Sequence, residues 1–66
     1  MRGEHPRVHI CTVAELVRSI VERRGLSERE ATELVARALH EDPRRLPLRN
    51  RLSIETRLHI ERLAAA

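Results

Sequence analysis

The sequence predicts a small α+β domain in the order strand, helix, helix, strand, with an antiparallel helical hairpin between the two strands. Two aliphatic stripes at helical spacing, each opened by a capping box, predict the hairpin. On either side of it, apolar and polar residues alternate with the period of two that is typical of a half-buried strand. The chain has 66 residues and no Phe, Tyr or Trp, so its core is small, and we expect the sheet to be completed in a dimer.

A short N-terminal strand is predicted over 7–11, where Val8 and Ile10 alternate with polar neighbours. The chain is too short for more than one domain. The expected boundaries are a flexible N-terminal segment at 1–6, a single small domain at 7–63 and a tail at 64–66.

The first helix is predicted over 13–24. Thr12 followed by Glu15 forms a capping box, in which each side chain satisfies a backbone N–H of the first turn. Gly25 ends the helix because glycine readily adopts the left-handed conformation that closes one. The apolar stripe consists of Val13, Leu16, Val17, Ile20 and Val21.

The second helix is predicted over 28–41 by the same pattern, with Ser27 and Glu30 as its capping box. It stops before Pro43, which disfavours helical geometry in the preceding residue. Only a short connection separates the two helices, so they are expected to fold back as an antiparallel pair. The second stripe consists of Ala31, Leu34, Val35, Ala38 and Leu39.

The C-terminal third gives conflicting signals. Its Glu, Arg, Leu and Ala residues favour a helix from Ser53 onward, but on a helical wheel Ile54 and Leu58 lie nearly opposite Ile60. With a period of two, apolar residues fall on one side, which predicts a strand over 51–61. The alternative is an all-α three-helix bundle with a poorly amphipathic third helix.

The arginines carry the clearest functional signal. All 13 basic residues are Arg, and residues 43–66 hold six of them against two acids, whereas 1–42 hold seven against eight. On an extended strand these guanidinium groups form a cationic face that suits successive phosphates of a nucleic acid. A solvated charged face is the competing interpretation. The candidate nucleic-acid-binding residues are Arg44, Arg45, Arg49, Arg51 and Arg57.

A metal site is a weak candidate. His5, His9 and Cys11 fall within seven residues, but no established zinc-ligand spacing is present. We therefore expect no metal and no cofactor. Neither a Gly-rich phosphate loop nor a nucleophile with a neighbouring base is apparent, so we expect no enzymatic activity.

The helical hairpin resembles the opening hairpin of the histone-like HU family in the run 12–17, then Ile20, then 25–27 and Ala31. These positions are chiefly caps and core. Residues 40–66 are too short for the β-arm of that family. The strand-then-two-helices order is similar to that of ribbon-helix-helix repressors. Both similarities are explained by hairpin-forming patterns shared among unrelated proteins.

Two functions follow as expectations. The first is a small, non-enzymatic, dimeric nucleic-acid-binding or regulatory protein that uses its Arg-rich C-terminal face on DNA or RNA phosphates. The second is a protein-interaction module, such as a small subunit, antitoxin or adaptor, with no nucleic-acid role. No apolar run approaches the roughly 18 residues of a membrane span, and no signal peptide is evident. We therefore expect a cytoplasmic protein without membrane contact.

Overall fold

The computed structural model describes residues 11–66. They form three helices and a two-stranded antiparallel sheet. The elements in chain order are β1 (Cys11–Thr12), α1 (Val13–Arg24), α2 (Glu28–Leu39), a 3₁₀ turn (Pro43–Arg45), β2 (Arg51–Leu52) and α3 (Ile54–Ala65).

Helix α1 confirms the helix predicted over 13–24 and both of its end signals. The Thr12 hydroxyl accepts a hydrogen bond from the Glu15 N–H over 3.1 Å, and the Glu15 carboxylate accepts one from the Thr12 N–H over 2.8 Å. Gly25 ends the helix with φ at 70°. A capping box and a glycine are therefore enough to define this helix from local chemistry.

Helix α2 begins as predicted, with reciprocal hydrogen bonds between Ser27 and Glu30, each 3.0 Å long. It ends at Leu39 rather than at 41. His40 adopts the left-handed conformation with φ at 60°, and the Glu41 N–H turns back to the Ala36 carbonyl over 2.8 Å. The helix is thus closed by its own backbone before Pro43 is reached.

The strand predicted over 51–61 is wrong beyond its first two residues. After β2 the Ser53 hydroxyl accepts a hydrogen bond from the Thr56 N–H over 3.2 Å and starts α3. Helix propensity prevails over the period-two pattern, and α3 docks on the core through one fully buried residue with the partly buried Ala64 beside it. The fully buried residue is Ile60, while Ile54 and Leu58 remain exposed.

Pairing between the two ends of the domain is present but short. In the antiparallel register Cys11 lies opposite Leu52, and Thr12 lies opposite Arg51. The predicted strand 7–11 and the flexible segment 1–6 lie outside the described residues, apart from Cys11. The tail predicted at 64–66 belongs to α3 through Ala65. Completion of the sheet in a dimer stays a prediction.

The core lies between the helical hairpin and the C-terminal segment. Helices α1 and α2 pack against each other, and α3 packs on both. All buried side chains of the described part are aliphatic. They are Val13, Leu16, Val17, Ile20, Ala31, Val35, Ala36, Leu46, Leu52 and Ile60.

Candidate functional site

The candidate site is the segment 42–52 between α2 and α3, here called the arginine connector. Its first part is a 3₁₀ turn capped by Asp42, whose carboxylate accepts a hydrogen bond from the Arg44 N–H over 2.9 Å. The Asp42 carbonyl accepts one from the Arg45 N–H over 2.8 Å. Leu46 follows in the core with only 8% of its surface exposed. Arg44 and Arg45 are therefore carried on a backbone fixed at both ends.

The second part of the connector closes the N-terminus of α1. The Val13 N–H donates to the Asn50 carbonyl over 2.9 Å, and the Ala14 N–H donates to the Leu48 carbonyl over 3.0 Å. The first N–H groups of a helix have no partner within the helix. Here the connector provides those partners, so its backbone is tied to α1.

Two further arginines lie on this tied backbone. The Asn50 N–H donates to the Pro47 carbonyl over 3.0 Å, which closes a tight turn that carries Arg49. Leu52 in β2 is buried. Because successive strand residues point to opposite faces, its neighbour Arg51 is directed away from the core and is exposed.

The charge of the connector is one-sided. The connector contains four arginines and one acid, Asp42, and all four arginines are exposed. Within residues 11–66 the single ion pair joins two α3 side chains. No carboxylate of the described part therefore lies within ion-pair distance of the connector guanidinium groups.

Arg57, the fifth arginine predicted to bind nucleic acid, is not part of the connector. It lies on α3, where its Nε is 3.1 Å from the Glu61 Oε2, and about a quarter of its side chain is exposed. The cationic strand face expected from Arg49, Arg51 and Arg57 does not form, because 54–65 is helical. Only the four connector arginines therefore lie on one continuous exposed segment.

Of the metal candidates, His5 and His9 lie outside the described residues. Cys11 is a half-buried free cysteine. Burial raises the pKa of its thiol, and the nearby Arg57 cation opposes this only in part. No group of three or more potential ligands is found within residues 11–66.

An open groove of about 1130 Å³ lies between α1, α2 and the start of the connector. Val17, Val21 and Leu46 form its apolar floor. Five acidic side chains and three arginines line the rim: Glu15, Glu22, Glu28, Glu33, Asp42, Arg18, Arg29 and Arg44. The excess of acids disfavours phosphate in the groove itself. Of the connector arginines, Arg44 borders this acidic rim, whereas Arg45, Arg49 and Arg51 do not line the groove.

A second surface feature, two exposed apolar residues on α3, does not follow from the period-two pattern. That pattern places Ile54 and Leu58 in the core, whereas both are exposed on α3. The signal that identifies them is the Ser53 cap with Thr56 three residues later. None of the helices in residues 11–66 has the length and apolar character needed to cross a membrane.

The chain matches no protein-family model, and neither the curated proteins nor the solved structures contain a match to it.

Proposed function

We propose that this chain is a non-enzymatic nucleic-acid-binding module that contacts DNA or RNA phosphates through the arginine connector. One observation carries the proposal: four exposed arginines lie on a short backbone that is held at both ends. The contacting residues are Arg44, Arg45, Arg49 and Arg51.

The fixed backbone matters because ordering a flexible segment on binding costs conformational entropy. Folding already meets most of that cost. Asp42 caps the 3₁₀ turn, Leu46 and Leu52 are buried, and two hydrogen bonds tie the connector to α1. A guanidinium group donates to a phosphate through two parallel N–H groups, which suits a phosphate backbone better than an ammonium does.

The chemistry also defines the kind of recognition. The chain has no aromatic residue, so bases have no ring on which to stack. Binding should therefore follow the phosphates, tolerate many sequences and depend steeply on salt. We further propose that the protein is regulatory and cytoplasmic. We also propose that it acts as a homodimer, because two connectors contact more phosphates than one.

The test is fluorescence anisotropy with a labelled duplex over a range of salt concentrations. The variant Arg49→Gln/Arg51→Gln should weaken binding by at least about tenfold at low salt. It should also lower the slope of log K against log salt by about 1.8, since each phosphate contact contributes about 0.9.

The matched control is Arg23→Gln/Arg24→Gln, which removes the same charge from the opposite end of α1. It should leave the salt slope unchanged. Equal losses in the two variants would reduce the effect to net charge, and absence of wild-type binding at about 50 mM salt would end the proposal.

A protein-interaction module is the second candidate, favoured by a different observation. Four large apolar side chains are between 37% and 48% exposed and offer apolar surface to a partner. They are Leu48, Ile54, Leu58 and Leu63. This candidate predicts a marked rise in melting temperature with the protein partner and no salt-dependent nucleic-acid binding. A stable, monodisperse monomer would count against it.

A further inference from the structure

The outward side of α3 carries an apolar edge. Ile54 and Leu58 are four residues apart and therefore lie about one turn from each other on the same side of the helix. They are 37% and 43% exposed, whereas Ile60 on the inward side is fully buried. The helix thus docks on its own chain through one side and leaves a second apolar strip uncovered.

Charged groups flank this strip on both sides, but only one flank is available. Arg57 and Glu61 lie on one flank, are largely covered by their own chain and bind each other over 3.1 Å. Glu55 and Arg62 lie on the other flank, about 40 to 60° around the helix from Leu58. Both are exposed and neither takes part in an ion pair within residues 11–66.

The two exposed charges share one flank of the apolar strip and lie at nearly equal distances along the helix on either side of Leu58. Glu55 and Arg62 are seven residues apart, about two helical turns, and their midpoint falls between positions 58 and 59. Leu58 therefore lies within one residue of the centre. A helix with this pattern is complementary to itself when a copy runs in the opposite direction.

We infer that α3 is a homodimer interface, in which it packs antiparallel on α3 of a second copy. The two-fold axis passes beside Leu58, so the two leucines meet at the centre. The same flank of each helix faces the other, which sets Glu55 beside Arg62 of the partner subunit, twice per dimer. A parallel pair instead directs Glu55 at the Arg57 and Glu61 flank, whose groups are already paired and partly covered.

This inference deepens the homodimer proposed above and does not depend on nucleic-acid binding. The apolar contact supplies most of the affinity, since exposed ion pairs contribute little. The charges select the antiparallel orientation. A single pair of 12-residue helices is small for a protein interface, so the dissociation constant should fall in the micromolar range.

The first test is sedimentation equilibrium of the full chain without nucleic acid. Wild type should move from monomer to dimer as its concentration rises, and Leu58→Glu should raise the dissociation constant at least about tenfold. Leu63→Glu is the matched control, since Leu63 is 44% exposed on the same helix but lies about 140° around from Leu58. A monomeric wild type, or equal effects of the two variants, would overturn the inference.

The second test uses charge reversal to check that the partner is a second copy of the chain and that the two helices run antiparallel. Glu55→Arg alone sets like charges opposite each other in the homodimer, and so does Arg62→Glu alone, so each should dimerise about tenfold more weakly than wild type. Mixed together, the two variants should form a heterodimer of nearly wild-type affinity, because every pair is then again of opposite charge. A parallel pair gives no such rescue, and failure of the mixture to associate would contradict the antiparallel arrangement. Circular dichroism of each variant checks that the fold is retained, and dimerisation can be lost while the proposed phosphate binding is kept.

Discussion

The Val13 N–H donates a hydrogen bond to the Asn50 carbonyl over 2.9 Å, and this contact joins the first turn of α1 to the end of the arginine connector. Ala14 and Leu48 make the same kind of contact one residue further along α1. Helix α1 has local end signals, yet its first N–H groups are capped by a segment more than thirty residues away in sequence. The proposed binding surface and the helix start are held by the same hydrogen bonds.

Removing the Leu52 side chain, which anchors the connector in the core, should loosen both the connector and the start of α1. Leu52→Ala removes a side chain that is 9% exposed, and it should lower the free energy of unfolding by about 2–4 kcal/mol. Amide exchange at Val13 and Ala14 should accelerate as the connector carbonyls move away. Urea denaturation followed by hydrogen exchange measures both effects.

The control is Leu48→Ala, because Leu48 is 48% exposed and keeps its backbone carbonyl on substitution. It should change the free energy of unfolding by less than about 0.5 kcal/mol. If Leu52→Ala left the exchange of the first turn of α1 unchanged, the proposed coupling of connector and helix would be wrong.

The end of α2 offers a stabilising substitution. His40 is the only residue other than glycine with positive φ in residues 11–66, and a β-carbon in that conformation costs roughly 1 kcal/mol. The side chain of His40 is exposed. His40→Gly should therefore raise the free energy of unfolding by about 0.5–1 kcal/mol, measured by thermal and chemical denaturation.

Gly25→Ala provides the reverse experiment. A β-carbon added at Gly25 meets no atom within 4 Å, so its only cost is the positive φ of 70°. It should destabilise the fold by about 1 kcal/mol. Loss of stability in His40→Gly would show that the imidazole makes a contact absent from the described structure.

The thiol of Cys11 should react slowly at neutral pH. Burial raises its pKa above the ordinary value, and only the thiolate is nucleophilic. The inflection in the rate of alkylation by iodoacetamide should thus fall at a higher pH in the folded chain than in concentrated urea. Because the folded-state pKa is raised, the corresponding part of the folding free energy is present at neutral pH and is lost as pH rises through the folded-state pKa.

Arg57 provides an internal check on that interpretation. Its positive charge lowers the thiol pKa in part, against the larger effect of burial. Arg57→Gln should move the alkylation inflection further upward. An unchanged or lower inflection in that variant would contradict the placement of α3 beside β1.

The elements that could be predicted from sequence are those defined by neighbours along the chain. The helix over 13–24 and the start of α2 at Glu28 follow from capping boxes whose two members are three residues apart. The predicted end of α2 at 41 is two residues too late, because Pro43 is the stop signal in the sequence while the backbone already closes at His40.

The C-terminal segment could not be predicted in the same way. Alternation of Leu52, Ile54 and Leu58 with polar residues satisfies the period of a strand, and no helical face collects the apolar residues. The helix forms because Ser53 caps it and Ile60 is buried in the core, with the partly buried Ala64 packed against the same core. Whether one buried residue is enough to dock a helix depends on the cavity left by α1 and α2, which the local pattern does not contain. Because 54–65 is a helix, only four of the five arginines predicted to bind nucleic acid lie on the connector. Arg57 lies on α3, where it is paired with Glu61.

A pair of alanine substitutions separates the helix from the strand directly. On a strand, Leu58 and Ile60 lie two residues apart and share one face, so truncating either should cost about the same. On α3 they lie about 160° apart around the axis, one 43% exposed and the other fully buried. Ile60→Ala should therefore lower the free energy of unfolding by about 2–4 kcal/mol and Leu58→Ala by less than about 1 kcal/mol. The measurement is urea denaturation at a concentration low enough to keep the chain monomeric, so that loss of the α3 interface does not enter the Leu58 value. Equal losses at the two positions would return residues 54–61 to an extended conformation and remove the basis of the α3 dimer.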